Sequence, residues 1–409
     1  MKQTLITMWM AIGLCASAFA QDSTHDDIKP YVDFLTSESF LSPKEYVLGC
    51  FDDNDIVILS ERDHREFTQY EMIVDIVQDK RFTGNIYTEV GVFNSEKRIN
   101  AFLQQEGLSD SEVKTLLLDI FKHLDMFPLW PNTNFYYLLE SIYQINQQRE
   151  STDKIKVFPL DLVFSWDSIQ CNEQYHMFLD MMEPQNDLPP VINRNSILAK
   201  HFIRKYSEEK KSNPGKDQAL VIMNTYHGYT RIPAYLPYPT EPRVYSTAEY
   251  IYQTFPTASK GIMVNYYPTS RNPVLIADGK WDAAFKTTGN KHVGFDLKDT
   301  PFGDTKFDLY NFGGTAYEAV DFDYIFDGLV FYTPIDDFEI IVGIPGIFDD
   351  TAFVTEFYRR VSIEENMTMK EAMSSRKINQ YMLNWNVRKV KEIERLDELN
   401  KQMDKWLTK

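Results

Sequence analysis

Cysteine is scarce, with three in 409 residues. Cys15 falls within an N-terminal apolar run, which leaves Cys50 and Cys171. No CxxC pair is present, so a cysteine-based zinc site is not expected. A disulfide is permissible after export, but nothing brings the two cysteines together, and two free thiols fit equally well. Positive charge is also in deficit: 42 Lys and Arg stand against 60 Asp and Glu, a net charge of -18. Such a field repels a phosphate backbone, which argues against nucleic acid as a partner. Beyond the N-terminal run, no segment reaches the roughly 18 apolar residues of a membrane helix, so no membrane span is expected. Repeats, low-complexity tracts and long linkers are missing too. The length then suits one large domain or two modest ones.

What is present begins with an export signal. Lys2 gives a positive start, Leu5 to Phe19 is apolar, and Ala18-Phe19-Ala20 is a small-x-small cleavage pattern. Residues 1–20 are expected to be a signal peptide cut before Gln21, and the protein exported, periplasmic or secreted. Leu14 stands before Cys15, where lipid attachment wants a small residue, so a lipid anchor is not expected.

The order of elements gives the fold class. Ile56-Val57-Ile58-Leu59, Asn85 to Val90, Ile155 to Leu160, Ala219 to Met223 and Gly261 to Tyr267 read as short apolar strands. Helical spacing covers 68–79, 95–105, 109–123, 132–148, 168–182 and 194–210. Strands separated by helices pair in parallel, because each connection is a crossover. The expectation is an α/β fold with a mostly parallel sheet flanked by helices. It spans 21–360 and carries a helical insertion or cap at about 95–150. After Lys280, Gly313-Gly314, Tyr324 to Tyr332 and Phe338 to Val342 suggest extended structure. A helix-rich tail at 361–409 has an apolar stripe through Met382, Trp385, Val387, Val390, Ile393 and Leu396. That stripe suits packing on the body or a homodimer through the C-terminal helices.

Ligands of parallel α/β sheets bind beyond the carboxyl ends of the strands. There the sequence places Glu61 and His64, then Glu89, then Asp161, then Asn224 and His227. Carboxylates closing apolar strands are costly unless paired. A histidine oriented by a carboxylate can take a proton from water, and a second histidine or Arg65 can steady an oxyanion. The same set suits a divalent metal. Structural roles compete at each position. Glu61 and Arg62 read equally well as a surface ion pair, Asp161 as a helix cap, and His227 as a loop histidine. His25, His123, His176, His201 and His292 lie in no partner motif, and Trp130-Pro131 reads as packing.

The order of these motifs resembles the erythromycin esterase family. That family begins with an apolar strand and Gly-Glu-x-x-His, here Ser60-Glu61-Arg62-Asp63-His64 followed by Arg65-Glu66-Phe67. A strand ending in Glu follows, here Thr88-Glu89. Asn146, the strand ending at Asp161, the helix opening Arg194-Asn195 and the loop Met223-Asn224-Thr225-Tyr226-His227 continue the series. Ser60, Pro159, Asn195 and Met223 stand where the family has Gly, Gly, Asp and His.

The resemblance implies a hydrolase that attacks an ester or lactone with water. His64 would be the general base, Glu61 and Glu89 would orient it, and His227 and Arg65 would steady the oxyanion. Asp161, Asn224 and Arg194 would contact a small-molecule substrate. Macrolides are the family's substrate, and the altered last loop points to a different one. No cofactor is required on this reading. The wider superfamily includes haem-binding proteins of the ChaN type, so a haem- or metal-binding envelope protein is the rival expectation. A degenerate enzyme serving as an interaction protein is a third.

Overall fold

The computed structural model describes residues 25–181, 193–232, 246–267, 274–309, 311–312, 315–316 and 320–407. The expected signal peptide and Gly313-Gly314 lie outside these residues. Seven strands form the main sheet: β1 Ile56–Glu61, β2 Asn85–Val92, β3 Val157–Asp161, β4 Ala219–Asn224, β5 Ser259–Val264, β6 Val293–Asp296 and β7 Gly328–Phe331. Their order is β3-β2-β4-β1-β5-β7-β6. Every pairing is parallel except β6 with β7. The chain is thus α/β with a mostly parallel sheet flanked by helices. Residues after Lys280 add β6 and β7 to that sheet and also form two short antiparallel pairs apart from it.

The strands alternate with period two between the two faces. Val57, Leu59, Ile86, Leu220 and Ile222 pack with helices Thr68–Gln78, Glu96–Leu103, Asp110–Phe121 and Thr133–Asn146. Ile56, Ile58, Tyr87, Val221 and Met223 face Arg194–Ser212 and Thr247–Thr254. With both faces covered, the strands have no polar side to show, which explains their unbroken apolar runs. The three helices between β2 and β3 form the expected helical insertion.

The edges of the sheet are covered. On β3, the Asn100 side chain donates to the Val157 carbonyl at 2.8 Å and accepts from its N–H at 2.9 Å. Pro159, two residues on, has no N–H. At the other edge, the Gly294 N–H of β6 donates to the Leu41 carbonyl at 3.0 Å.

A short antiparallel pair joins Ile340–Val342 to Lys389–Lys391, the second of which lies within the expected helix-rich tail. The stripe on that tail divides. Met382, Trp385, Ile393 and Leu396 pack on the body, while Val387 and Val390 are 52% and 62% exposed. Cys50 and Cys171 are both free thiols.

One irregularity in the sheet matters for the site. Between Thr88 and Val92 the β2–β3 register slips, so that Thr88 faces Pro159 and Val92 faces Asp161. This bulge holds Glu89 and Gly91. Bulges re-aim side chains near sites. Gly91 has φ +99, and a Cβ there would meet Leu124 and Pro159 at 3.0–3.1 Å. Gly91→Ala should therefore destabilise the fold by about 1–3 kcal/mol, read as a lower urea midpoint.

Candidate functional site

The carboxyl ends of β3, β2, β4 and β1 are neighbours in the sheet. Register sets Glu61 opposite Asn224. Glu61 is fully buried and accepts from His64, Nδ1 to Oε1 2.6 Å. The other ring nitrogen of His64 lies 3.8 Å from Glu89 Oε1. Glu89 Oε1 also meets His227 Nε2 at 3.2 Å and Arg194 Nη2 at 3.3 Å. Its Oε2 accepts from the Asn224 N–H at 2.8 Å. Arg194 forks onto Asp161 with Nε and Nη2 at 2.8 and 2.9 Å. His227 Nδ1 is 2.6 Å from Asn195 Oδ1, an acceptor that fixes this nitrogen as the donor.

The structure thus brings Glu61, His64, Glu89, His227, Arg194 and Asp161 into one network. Asp161 is clamped by Arg194 rather than capping a helix. Asn224 joins through its backbone, while its amide donates to the Arg62 carbonyl at 2.9 Å. Arg65 is held aside by Asp63, with Nε and Nη2 at 2.8 and 2.6 Å from the carboxylate.

The reading of Glu61 and Arg62 as a surface pair is corrected: both are buried. Arg62 pairs instead with the buried Glu66 at 2.8 Å. It also binds the Asn265 side chain at 2.5 Å and the Tyr332 carbonyl, beneath the Phe338 ring. This knot anchors the loop that carries His64. Asn134 ties the same loop down from the insertion, donating to the carbonyls of His64 and Glu66 at 2.9 and 2.6 Å.

Charge follows geometry. Burial works against the His64 imidazolium, but Glu61, with Glu89 and Asp63, overrides it and lifts the pKa to about 9. Burial likewise opposes the Glu89 anion, yet His227, His64 and Arg194 hold its pKa well below the ordinary carboxylate range. Below about pH 9 the cluster is therefore a set of opposite charges, with His64 protonated.

Two cavities meet at His64. One, of about 390 Å³, is bordered by Glu89, Asp125, Trp130, Asp161 and Arg194. The other, of about 290 Å³, is bordered by Arg65, Asn224, Tyr226, Tyr266 and Tyr267. Trp130 is part of this site as well as of the packing: its ring meets His64 edge-on at 5.3 Å, and its Nε1 is buried without a hydrogen-bond partner. Among the described residues, no group of three or more His, Cys, Asp or Glu is arranged to hold a metal ion.

Sequence reasoning missed Asp125, Trp130, Asn134, Asn195 as a histidine partner, and Asn265. Asn265 had a usable signal, since it follows the last residue of β5. The others sit in helices or loops, where no strand end points to them.

No protein-family model matches this sequence, and no curated protein does. Among solved structures, a Bacillus cereus protein is similar at TM-score 0.43 and 12% identity, over 74% of this chain and 96% of that one. The ChaN protein of Campylobacter jejuni, described as binding haem cofacially, is similar at TM-score 0.30 and 9% identity, over 55% of this chain and 87% of that one. At these values neither likeness carries an activity over to this chain.

Proposed function

We propose that this site hydrolyses a carboxylic ester or lactone of a small molecule. The observation that carries the reading is one imidazole, held by Glu61 at 2.6 Å and placed where two cavities meet. Orientation of a histidine by a buried carboxylate is the arrangement that proton transfer needs. Arg194, within reach of Glu89 in the larger cavity, supplies positive charge for a developing oxyanion. At neutral pH, His64 enters the reaction protonated. Its role there is to donate, to the oxyanion or to the leaving oxygen. The general-base role that the sequence suggests belongs to the deprotonated ring, above about pH 9.

A pH–rate profile on p-nitrophenyl esters and simple lactones separates these roles. A donor His64 gives a kcat/KM that falls above about pH 9; a basic His64 gives one that rises through it. Either limb should move to lower pH in Glu61→Gln, because the anion that raises the His64 pKa is gone. His64→Ala should lower kcat/KM by at least about 100-fold with the circular dichroism unchanged. Wild-type turnover in that variant overturns the reading. Haem titration tests the rival function: a Soret band that shifts in His64→Ala would favour haem binding over hydrolysis.

A further inference from the structure

Neither His64 nor Glu89 is suited to deprotonate water at neutral pH. His64 is charged, and Glu89 is held anionic by three cationic or polar neighbours. The largest cavity at the site nevertheless contains one more carboxyl. Asp125 follows helix Asp110–Phe121 in the segment leading to Trp130. It is 9% exposed. Its Oδ1 accepts from the Phe127 N–H at 2.8 Å, and among the described residues it forms no ion pair. Arg194, whose charge it feels, is bound to Asp161 and Glu89 instead. A buried carboxyl left without a cation is expensive to keep.

Its placement gives that expense a use. Asp125 borders the same cavity as His64, Glu89 and Arg194. It also borders a second, polar cavity of about 150 Å³ with Arg98, His123, Asp167 and Arg360. Asp125 therefore stands between the reacting space and a hydrophilic cavity.

We propose that Asp125 is the general base of this site, taking the proton of the water that attacks the acyl carbon. The inference rests on the hydrolase reading above. In the step, the water oxygen bonds to the acyl carbon and its proton passes to the Asp125 carboxylate. The acyl carbon–oxygen bond breaks, and its electron pair stays on the leaving oxygen, which takes the proton of His64 Nε2. Asp125 then loses its proton to solvent and His64 regains one. The products are one acid and one alcohol, with nothing else consumed. Burial, and then Asp161, raise the Asp125 pKa to about 7 against the pull of the Phe127 N–H. A base of about 7 and an acid of about 9 are both in their working forms between those values.

The test compares wild type, Asp125→Asn and Asp125→Glu on p-nitrophenyl butyrate, with and without hydroxylamine. Hydroxylamine attacks an ester without help from a base. Asp125→Asn should lose at least about 100-fold in hydrolytic kcat/KM and lose the pH limb near 7. It should keep hydroxamate formation, which a merely structural lesion would also remove. Asp125→Asn that hydrolyses like wild type with the limb intact overturns the proposal. If that variant does not fold, Asp125→Glu decides: it should retain a limb near pH 7, and its absence overturns the proposal. Infrared titration of the wild type supplies a readout that needs no substrate. An active wild type with no carboxyl band titrating near 7 rejects Asp125 alone. A wild type inert towards esters and lactones, with that band present, rejects the hydrolase reading and the base role with it.

Discussion

Glu89→Ala should abolish hydrolysis and lower stability by about 3–5 kcal/mol. Glu89 is the one anion shared by Arg194, His227 and the far nitrogen of His64, and the one acceptor for the Asn224 N–H. Arg194 would keep Asp161, but the two histidines would face its charge with nothing between them. Glu89→Gln keeps an acceptor and should lose less. The pH dependence of stability should change as well. A raised His64 pKa contributes stability that is complete below about 6.5 and fades as pH rises through about 9. The depressed Glu89 pKa contributes stability present above the ordinary carboxylate range and lost as pH falls through its folded value. Wild type should thus weaken on the alkaline side from about 6.5 to 9. Urea unfolding at several pH values would show that slope, partly flattened in Glu89→Ala, which keeps Glu61 beside His64. An unchanged slope would mean that Glu89 and His64 are not coupled.

Glu66→Ala should destabilise by a similar 3–5 kcal/mol, although Glu66 contributes no group to either cavity. Its carboxylate accepts from Arg62, from the N–H and hydroxyl of Thr68, and from the N–H groups of Gln69 and Glu339, at 2.8–3.2 Å. Removal orphans these donors and leaves a buried guanidinium with neutral partners only. The double variant Arg62→Met/Glu66→Gln removes both charges and should be more stable than the sum of the single losses. Additive losses would show that the pair is not coupled. Because the knot carries the loop after Glu61, the single variant should also lose activity, with no new limb in its pH profile.

Much of this architecture was legible because burial writes itself into short strands. Ile56 to Leu59 and Ala219 to Met223 are apolar throughout, and a polar residue at the end of such a run stands where the sheet stops. That logic points to Glu61, Asp161 and Asn224 at strand ends, and to Glu89, which lies at the bulge within β2. It failed where position depends on packing between distant segments. Asp125 and Trp130 reach the site because the insertion folds over β2, which no local pattern records. Glu61 followed by Arg62 reads as a surface pair; only Asn265, Tyr332 and Phe338, arriving from far along the chain, enclose Arg62 and leave it to Glu66. β5 begins at Ser259 and ends at Val264, so reading it as Gly261 to Tyr267 concealed Asn265 as a strand-end residue.

The covered sheet margins have a consequence for behaviour in concentrated solution. An open strand margin is a template on which another chain can lay a matching strand, the first step of fibre growth. Here Asn100 imitates that visitor on β3, Pro159 withholds the next donor, and Leu41 occupies the opposite side. Growth of the main sheet by strand addition is opposed at both ends. Two copies of this protein that do associate can therefore part again without unpicking the main sheet.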